Sequence, residues 1–243
     1  MMKDRPIVLK LKCDGRELEE EIIAIKAYNG LECITLIDYN PSLKAMILEQ
    51  AIPGKSLSSL FPDNDKKATQ IAANCIRSLH TATIPPNSQF KTVDQIIPHF
   101  KHRMALLAPF INYAKELRES LLKGPSKEVL LHGDFHPGNI ISTTNNKWIA
   151  IDPEGIIGDP LYDLAIYIRN PLIELMKSKN PLIVVSDRIN DFAKLLNHPA
   201  QQIYEWCYLQ AVTSTYWSLE DRLDVTQHIA FLNLLESIKD QHQ

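Results

Sequence analysis

Residues 131–139 read Leu-His-Gly-Asp-Phe-His-Pro-Gly-Asn, and residues 151–155 read Ile-Asp-Pro-Glu-Gly. The apolar run at 129–131 predicts a buried strand that leads into the first stretch. The two glycines and the proline that follow it predict a rigid loop. Together these stretches decide the fold, because they place two carboxylates and a carboxamide close to a strand end.

The segment between the two stretches predicts a β-hairpin. Ile140-Ile141 and the run 148–151 are apolar, and the residues 143–146 between them are turn formers. Because a hairpin brings its open ends together, Asn139 and Asp152 are expected to lie side by side.

These residue types fit the transfer of a phosphoryl group. Such a reaction needs a group that orients the attacking hydroxyl, oxygen ligands for Mg²⁺ and a cation near the phosphates. Asp134 suits the first task, and Asn139 with Asp152 suits the second. Mg²⁺ prefers oxygen ligands and keeps several waters, so one carboxylate and one carboxamide suffice when nucleotide phosphates complete the site.

The arrangement resembles the catalytic loop and metal motif of the protein-kinase-like superfamily. Its small-molecule branch, the aminoglycoside phosphotransferases, carries His-Gly-Asp-x-His-x-x-Asn, which residues 132–139 match. The motifs at 151–155, 158–165, 169–171 and 217–221 look most like the streptomycin 6-kinase and hydroxyurea kinase group. The resemblance runs from about Val8 to about Asp221.

The resemblance implies a role for each matching residue. Asp134 is expected to act as the catalytic base, and Asn139 and Asp152 as catalytic residues that hold Mg²⁺. His132 and Asp163 are expected to support the loop, with the histidine packing beneath it and the aspartate accepting hydrogen bonds from its backbone.

The resemblance also implies a nucleotide site in the first fifty residues. Lys10 is expected to bind the nucleotide and Glu21 to pair with it, while backbone groups of the hinge at 49–54, namely those of Glu49 and Ala51, receive adenine. The implied cofactors are ATP and Mg²⁺, and the implied partner is a small hydroxylated acceptor such as an aminoglycoside or a sugar-like metabolite.

The lysine and the glutamate can also be judged from pattern alone. Alternation puts Lys10 and Lys12 on one face of a strand, so period two does not choose between them. Glu21 lies within the apolar stripe of a helix over 15–28. A carboxylate on a buried face is costly unless it is paired, so a lysine of the neighbouring strand is the expected partner.

The segment before Lys10 departs from the family pattern. Members have two strands and a phosphate-covering loop there, whereas nine residues without glycine precede Lys10. Either the start codon lies upstream, or another segment covers the nucleotide, or the protein is a degenerate relative with weak ATP affinity; the sequence leaves these alternatives open. The alternative function is that of a non-catalytic kinase-like protein that binds a ligand or partner. We therefore expect an α+β, protein-kinase-like two-lobe fold, with a truncated small N-terminal β lobe over 1–52 and a mostly helical C-terminal lobe over 53–243.

Periodicity completes the expected architecture. Strands are expected at 7–12, 34–37 and 45–48, and a helix from about residue 65, capped by Asp63 or Asn64. Further helices are expected over 94–106, 110–123, 160–178, 186–196, 199–219 and 223–240. The aromatic residues of the 199–219 helix are expected to pack in the core rather than to line an acceptor pocket. The acidic residues Glu205, Glu220, Asp221 and Asp224 could attract a cationic aminoglycoside, but they are expected to form a solvated helix face.

Composition limits the alternatives without producing this interpretation. A net charge of −3 gives no basic footprint for nucleic acid. The spacings of Cys13, Cys33, Cys75 and Cys207 fit no zinc or redox motif, so reduced core cysteines are expected. The scattered histidines are expected on the surface or in the core. No signal peptide or membrane span is recognisable, so a cytoplasmic location is expected. The oligomeric state is left open.

Overall fold

The computed structural model describes residues 6–86, 88–100, 104–124 and 127–239. The amino-terminal part is a small antiparallel sheet with one helix. Its elements are β1 (Ile7–Leu11), α1 (Gly15–Tyr28), β2 (Leu36–Asn40) and β3 (Ala45–Glu49), and the strand order is β1-β3-β2. The side chain of Asp14 caps α1 by accepting from the backbone N–H of Arg16, which fixes where the helix begins.

A hinge after β3 leads into the helical part. The helix α2 (Asp65–Leu79) follows, and a second pair of strands, β4 (Val129–Leu131) and β7 (Ile156–Gly158), frames the loop motif. Between them, β5 (Ile140–Ser142) and β6 (Trp148–Ala150) form the predicted hairpin. The predicted lobe boundary at residue 52 falls within the hinge and stays a prediction.

The remaining elements are helices around one continuous apolar core. The longest of them, α8 (Ala200–Glu220), is buried along most of its length and packs against α5 (Leu161–Arg169), which follows the loop motif. The helices are α3 (Val93–Ile96), α4 (Ile111–Lys123), α5 (Leu161–Arg169), α6 (Leu172–Lys177), α7 (Pro181–Leu196), α8 (Ala200–Glu220) and α9 (Thr226–Ile238). The expectation of a small β lobe and a mostly helical remainder is confirmed.

Prolines account for most differences from the expected helices. The prediction of a helix over 94–106 is wrong for the described residues, because α3 is a single turn that begins at Val93 and ends at Ile96, before Pro98. Pro171 divides the stretch 160–178 into α5 and α6, since proline lacks the N–H that a continuous helix needs. Pro181 starts α7 earlier than expected, since proline is favoured in the first helical turn.

Three smaller expectations also change. Ile34 is not in β2, because its N–H donates to the carbonyl of Ala150 and ties this segment to β6. Asn64 occupies the position before α2 but makes no capping hydrogen bond with its side chain. Cys13 is exposed, whereas the other three cysteines are buried as expected, and all four are free thiols.

The buried Arg188 satisfies the backbone where α5 and α6 separate. Its guanidinium binds both carboxylate oxygens of Asp65, at 2.6 and 2.9 Å, and donates to the carbonyls of Ile168 and Asn170. This residue therefore joins α7, α2 and the break between helices. Within the described ranges, no helix has the length and apolar character that crossing a bilayer requires.

Candidate active site

The loop between β4 and β5 is held by one buried carboxylate. Asp163, at the start of α5, accepts hydrogen bonds from the backbone N–H groups of His132 and Gly133, both at 2.9 Å. His80 Nε2 lies 3.0 Å from the same carboxylate. The prediction that Asp163 accepts hydrogen bonds from the loop backbone is confirmed.

His132 lies fully buried beneath the loop, as expected. Its Nε2 lies 2.9 Å from the carbonyl oxygen of Ile151, and its Nδ1 accepts from the N–H of Asp134 at 3.3 Å. Burial lowers the pKa of the imidazole below 6.5 against the opposing effect of Asp163. The ring is therefore neutral, with Nε2 as the donor, and it connects the loop to the strand end before Asp152.

Gly133 allows the loop to turn closely over β7. It has φ of +86°, and a Cβ at this position would lie 2.8 Å from Ile156 Cδ1. A side chain would need both a strained backbone and a displaced neighbour. The backbone conformation and the close contact thus explain why glycine occupies position 133.

Asp134 projects from the loop beside two polar partners. Its Oδ2 accepts from Asn139 Nδ2 at 3.1 Å and lies 3.4 Å from His136 Nε2. Burial alone would raise the pKa of this carboxyl group, but His136 and Asn139 outweigh burial and hold the pKa below its usual value. Asp134 is consequently an ionised, half-exposed carboxylate at neutral pH.

Asn139 and Asp152 lie together at the open end of the hairpin, as the sequence predicts. The N–H of Ile151 donates to the carbonyl of Asn139 at 2.9 Å and keeps the two chain segments in register. Asp152 has φ of +60°, a left-handed conformation that is uncommon for residues other than glycine. Such backbone strain is concentrated at functional sites, because the surrounding structure must hold it in place.

Lys10 connects the small sheet to this strand end. Its Nζ lies 2.6 Å from Glu21 Oε1 and 2.8 Å from Asp152 Oδ1. Burial would lower the pKa of this lysine, but hydrogen bonds to Asp152 and Glu21 raise it above its ordinary value. Lys10 is thus a charged group held between two carboxylates from different parts of the chain.

Lys12 occupies the same strand face but a different environment. Its Nζ lies 3.2 Å from Glu21 Oε2 and 3.8 Å from Glu17, and it makes no ion pair with Asp152 among the described residues. The structure therefore separates the two lysines that alternation left equivalent.

A cavity of about 510 Å³ opens beside the loop. Asp134, Asp152 and Glu154 line one side, and Arg169 and Trp217 line the side formed by α5 and α8. Burial and the nearby charge of Asp134 raise the pKa of Glu154 above its usual value. The volume suits a small polar molecule within reach of the loop carboxylates.

The hinge lines a separate cavity of about 780 Å³. Glu49 and Ala51 contribute to its wall, together with α2 and the tip of the hairpin, whereas Lys10 and the loop between β4 and β5 do not. The hinge backbone and Lys10 are nevertheless neighbours in the sheet, because Lys10 is paired with Met46, three residues before Glu49.

The residues at the hairpin mouth fit a divalent cation that is shared with a ligand. In the described part of the chain, no group of three or more histidine, cysteine, aspartate or glutamate residues is arranged to hold a metal. Asn139 and Asp152 offer one amide and one carboxylate. Mg²⁺ suits such a sparse oxygen set, since it keeps waters and takes phosphate oxygens in ATP-dependent sites.

A two-lobed α+β fold with an Asp-Asn-Asp constellation and a lysine–glutamate pair defines a protein-kinase-like phosphotransferase. The sequence model of the family described as aminoglycoside/hydroxyurea antibiotic resistance kinase matches residues 2–222. The chain belongs to this family, which confirms the resemblance drawn from the motifs and the expectation of a small-molecule kinase.

The names of the sequence relatives agree with this family. The chain is 25% identical over 224 residues to a streptomycin 6-kinase of Streptomyces glaucescens, with 88% of the chain and 71% of the relative covered. It is 25% identical over 166 residues to a hydroxyurea phosphotransferase of Kitasatospora aureofaciens, with 64% and 48% covered.

Solved structures share the fold at low sequence identity. The choline kinase LicA of Streptococcus pneumoniae aligns with a TM-score of 0.68 and 14% identity, covering 98% of this chain and 88% of the other. The amicoumacin kinase hAmiN in complex with AMP-PNP, Ca²⁺ and Ami aligns with a TM-score of 0.68 and 14% identity, covering 99% of this chain and 83% of the other. These likenesses establish the kinase-like fold.

Sequence reasoning missed several residues around the site. His80 was counted among scattered histidines, because no local pattern shows that the end of α2 faces Asp163. Gln210 lies in a helix whose sequence indicates apolar packing. The expectation that the aromatic residues of this helix pack in the core rather than line a pocket is wrong for Trp217, which lines the cavity. The position of Arg169 immediately before Asn170-Pro171 could have indicated that it lies at the end of a helix. That it lines the cavity depends on tertiary packing, which the sequence does not show.

Proposed function

We propose that this protein transfers the γ-phosphoryl group of ATP, with Mg²⁺, to a hydroxyl group of a small molecule. The observation that carries the proposal is the joint placement of Asp134, Asn139 and Asp152 with Lys10, which touches Asp152 at 2.8 Å. Each residue alone has ordinary structural uses, whereas the combination supplies a base, oxygen ligands and a phosphate-binding cation.

The sheet register supports a nucleotide that runs from the hinge to Lys10. Ile7 is paired with Glu49, and Lys10 with Met46. Three residues along a strand span about 10 Å. Backbone groups of Glu49 and Ala51 are then the proposed adenine contacts, and Lys10, oriented by Glu21, is the proposed phosphate contact.

The catalytic loop has the groups for the remaining steps. Asp134 orients the acceptor hydroxyl and receives its proton, because it is ionised and lines the 510 Å³ cavity. Asn139 and Asp152 would hold Mg²⁺, which when bound neutralises charge on the phosphates. His136 keeps the Asp134 carboxylate in place.

The acceptor is proposed to be an antibiotic of the aminoglycoside class, such as streptomycin, or another small hydroxylated metabolite. The family match and the named relatives support this range. Glu154 and the acidic residues at the start of α1 would attract an amine- or guanidine-bearing acceptor.

An ADP-release screen over streptomycin, other aminoglycosides, hydroxyurea, small sugars and amino alcohols tests this function. We expect at least one acceptor to stimulate ADP release with wild-type protein but not with Asp134→Asn. If no compound stimulates release while the protein binds Mg-ATP, the transfer function is contradicted for these classes.

A non-catalytic, kinase-like binding protein is the second candidate, and one observation favours it. β1 lies at the edge of its sheet among the described residues, and Ile7, Val8, Leu9 and Leu11 are 42–66% exposed. An exposed apolar strand edge is typical of a surface that binds another chain. Absence of Mg-ATP binding in calorimetry would favour this candidate, and micromolar binding would oppose it.

A further inference from the structure

Arg169 lines the 510 Å³ cavity, and its guanidinium has no acidic partner among the described residues. Its Nε donates to Gln210 Oε1 at 2.9 Å, which fixes the plane of the guanidinium. Within the described ranges no carboxylate lies within ion-pair distance of it, and no other hydrogen bond uses its terminal nitrogens. Burial lowers the pKa of Arg169 to about 10, so the group remains charged at neutral pH.

Arg188 and Arg118 are buried more fully than Arg169, which is half-buried, and their guanidinium groups have acidic partners. Arg188 binds Asp65 through two nitrogens and several carbonyls, and Arg118 binds Asp94 at 2.6 Å. Removing a guanidinium from water is costly unless an oxygen partner replaces the lost hydration. Although Nε of Arg118 is also buried without a partner, among these three arginines only Arg169 has both terminal nitrogens free of hydrogen bonds to the described residues.

The surroundings of Arg169 indicate what that partner is. The cavity that it lines also contains Asp134, and its volume is about 510 Å³. A molecule whose hydroxyl lies at Asp134 therefore extends toward α5 and α8. A guanidinium fork matches two oxygen lone pairs in one plane, and it repels ammonium and guanidinium groups.

We propose that Arg169 is a specificity-determining residue that binds a carboxylate or carbonyl oxygen of the acceptor, with Gln210 as its positioning residue. The inference rests on the proposed phosphotransferase function and names a chemical feature of the acceptor. The cavity is then bipolar, with acidic groups near the loop and one cation at the α5–α8 wall. An acceptor that has only cationic and apolar groups near its reactive hydroxyl lacks a partner for Arg169.

Matched pairs of hydroxylated probes test this inference. Glycerate has a carboxylate where glycerol has a hydroxymethyl group, serine is ethanolamine with an added carboxylate, and hydroxyurea supplies a neutral carbonyl. Binding of each probe is measured by saturation-transfer NMR in the presence of Mg-ADP, and turnover by ADP release with Mg-ATP. We expect the carboxylate-bearing member of each pair to be favoured by about 10-fold or more, the effect of one charge-assisted hydrogen bond.

Variants assign the preference to Arg169. Arg169→Gln should lose it, Arg169→Lys should keep part of it because charge remains without the fork, and Gln210→Glu should abolish it by supplying an internal carboxylate. The exposed Arg222→Gln is the matched control and should keep the wild-type preference. Thermal unfolding and the Kd for Mg-ATP are measured for all four.

The outcomes separate this inference from the proposed function. A preference that survives in Arg169→Gln and Gln210→Glu, or no preference in the wild type, overturns the inference. The inference is also overturned if Arg169→Gln weakens Mg-ATP binding while probe selectivity is unchanged, because Arg169 would then bind the nucleotide. Arg169-dependent probe binding without any turnover supports the inference and contradicts the phosphotransferase function.

Discussion

Replacing each of the two equivalent-looking lysines by methionine tests which one binds phosphate. Lys10 and Lys12 share a strand face and both contact the buried Glu21, at 2.6 and 3.2 Å, but only Lys10 also touches Asp152. Lys10→Met therefore removes the cation nearest the proposed metal position. Lys12→Met is the matched control, because it removes a similar charge from the same carboxylate.

The expected magnitude follows from these contacts. A charge-assisted hydrogen bond to a phosphate contributes about 1.5–3 kcal/mol, so Lys10→Met should weaken Mg-ATP binding about 10- to 150-fold. Lys12→Met should weaken binding less than about 3-fold, since its contacts are with Glu21 and Glu17. Both variants leave Glu21 one lysine, so their thermal stabilities should be similar.

Isothermal titration with Mg-ATP on both variants measures the difference, and differential scanning calorimetry confirms that they fold. Equal losses of affinity would refute the reasoning, as would a larger loss in Lys12→Met. Unchanged affinity in both would remove Lys10 from the nucleotide site altogether.

Three further predictions concern the loop. Asp134→Asn should reduce turnover by about 10²- to 10⁴-fold while leaving Mg-ATP affinity nearly unchanged, which steady-state kinetics and titration measure; near-normal turnover would remove its role as base. Asp152→Ala should weaken Mg²⁺-dependent nucleotide binding more than Asn139→Ala, because a carboxylate is the stronger ligand, and titration with and without Mg²⁺ would show the reverse order if this is wrong. His132 stays neutral in the folded protein because burial lowers its pKa, whereas the unfolded chain takes up a proton as the pH falls through 6.5. The free energy of unfolding should therefore fall below pH 6.5, and urea titrations that show stability rising there would contradict the assignment.

The loop and the hairpin could be predicted because their information is local. Gly133, Pro137 and the turn at 143–146 fix the chain direction, and the hairpin then brings Asn139 beside Asp152. Glu21 could be placed for a similar reason, since a carboxylate in an apolar stripe demands a partner. The structure supplies that partner in Lys10, and Lys12 also lies close.

Other features depend on tertiary contacts that a single sequence does not contain. Period two places Lys10 and Lys12 on one face, and only the position of Asp152 separates them. His80 and Asp163 are 83 residues apart in the chain. Helical periodicity around 94–106 was misleading, because the apolar spacing continues past Pro98 although a proline disfavours helical backbone at the residue before it.

The short helix α5 has a consequence for how this protein evolves. Asp163 near its start holds the loop between β4 and β5, and Arg169 at its end lines the 510 Å³ cavity. Six residues of helix separate them by about 9 Å, so any shift that enlarges the cavity on the α5 side also moves the loop. Adaptation to bulkier acceptors is therefore expected to accumulate on α8, at positions such as Ser214 and Trp217, which line the same cavity without bonding to the loop.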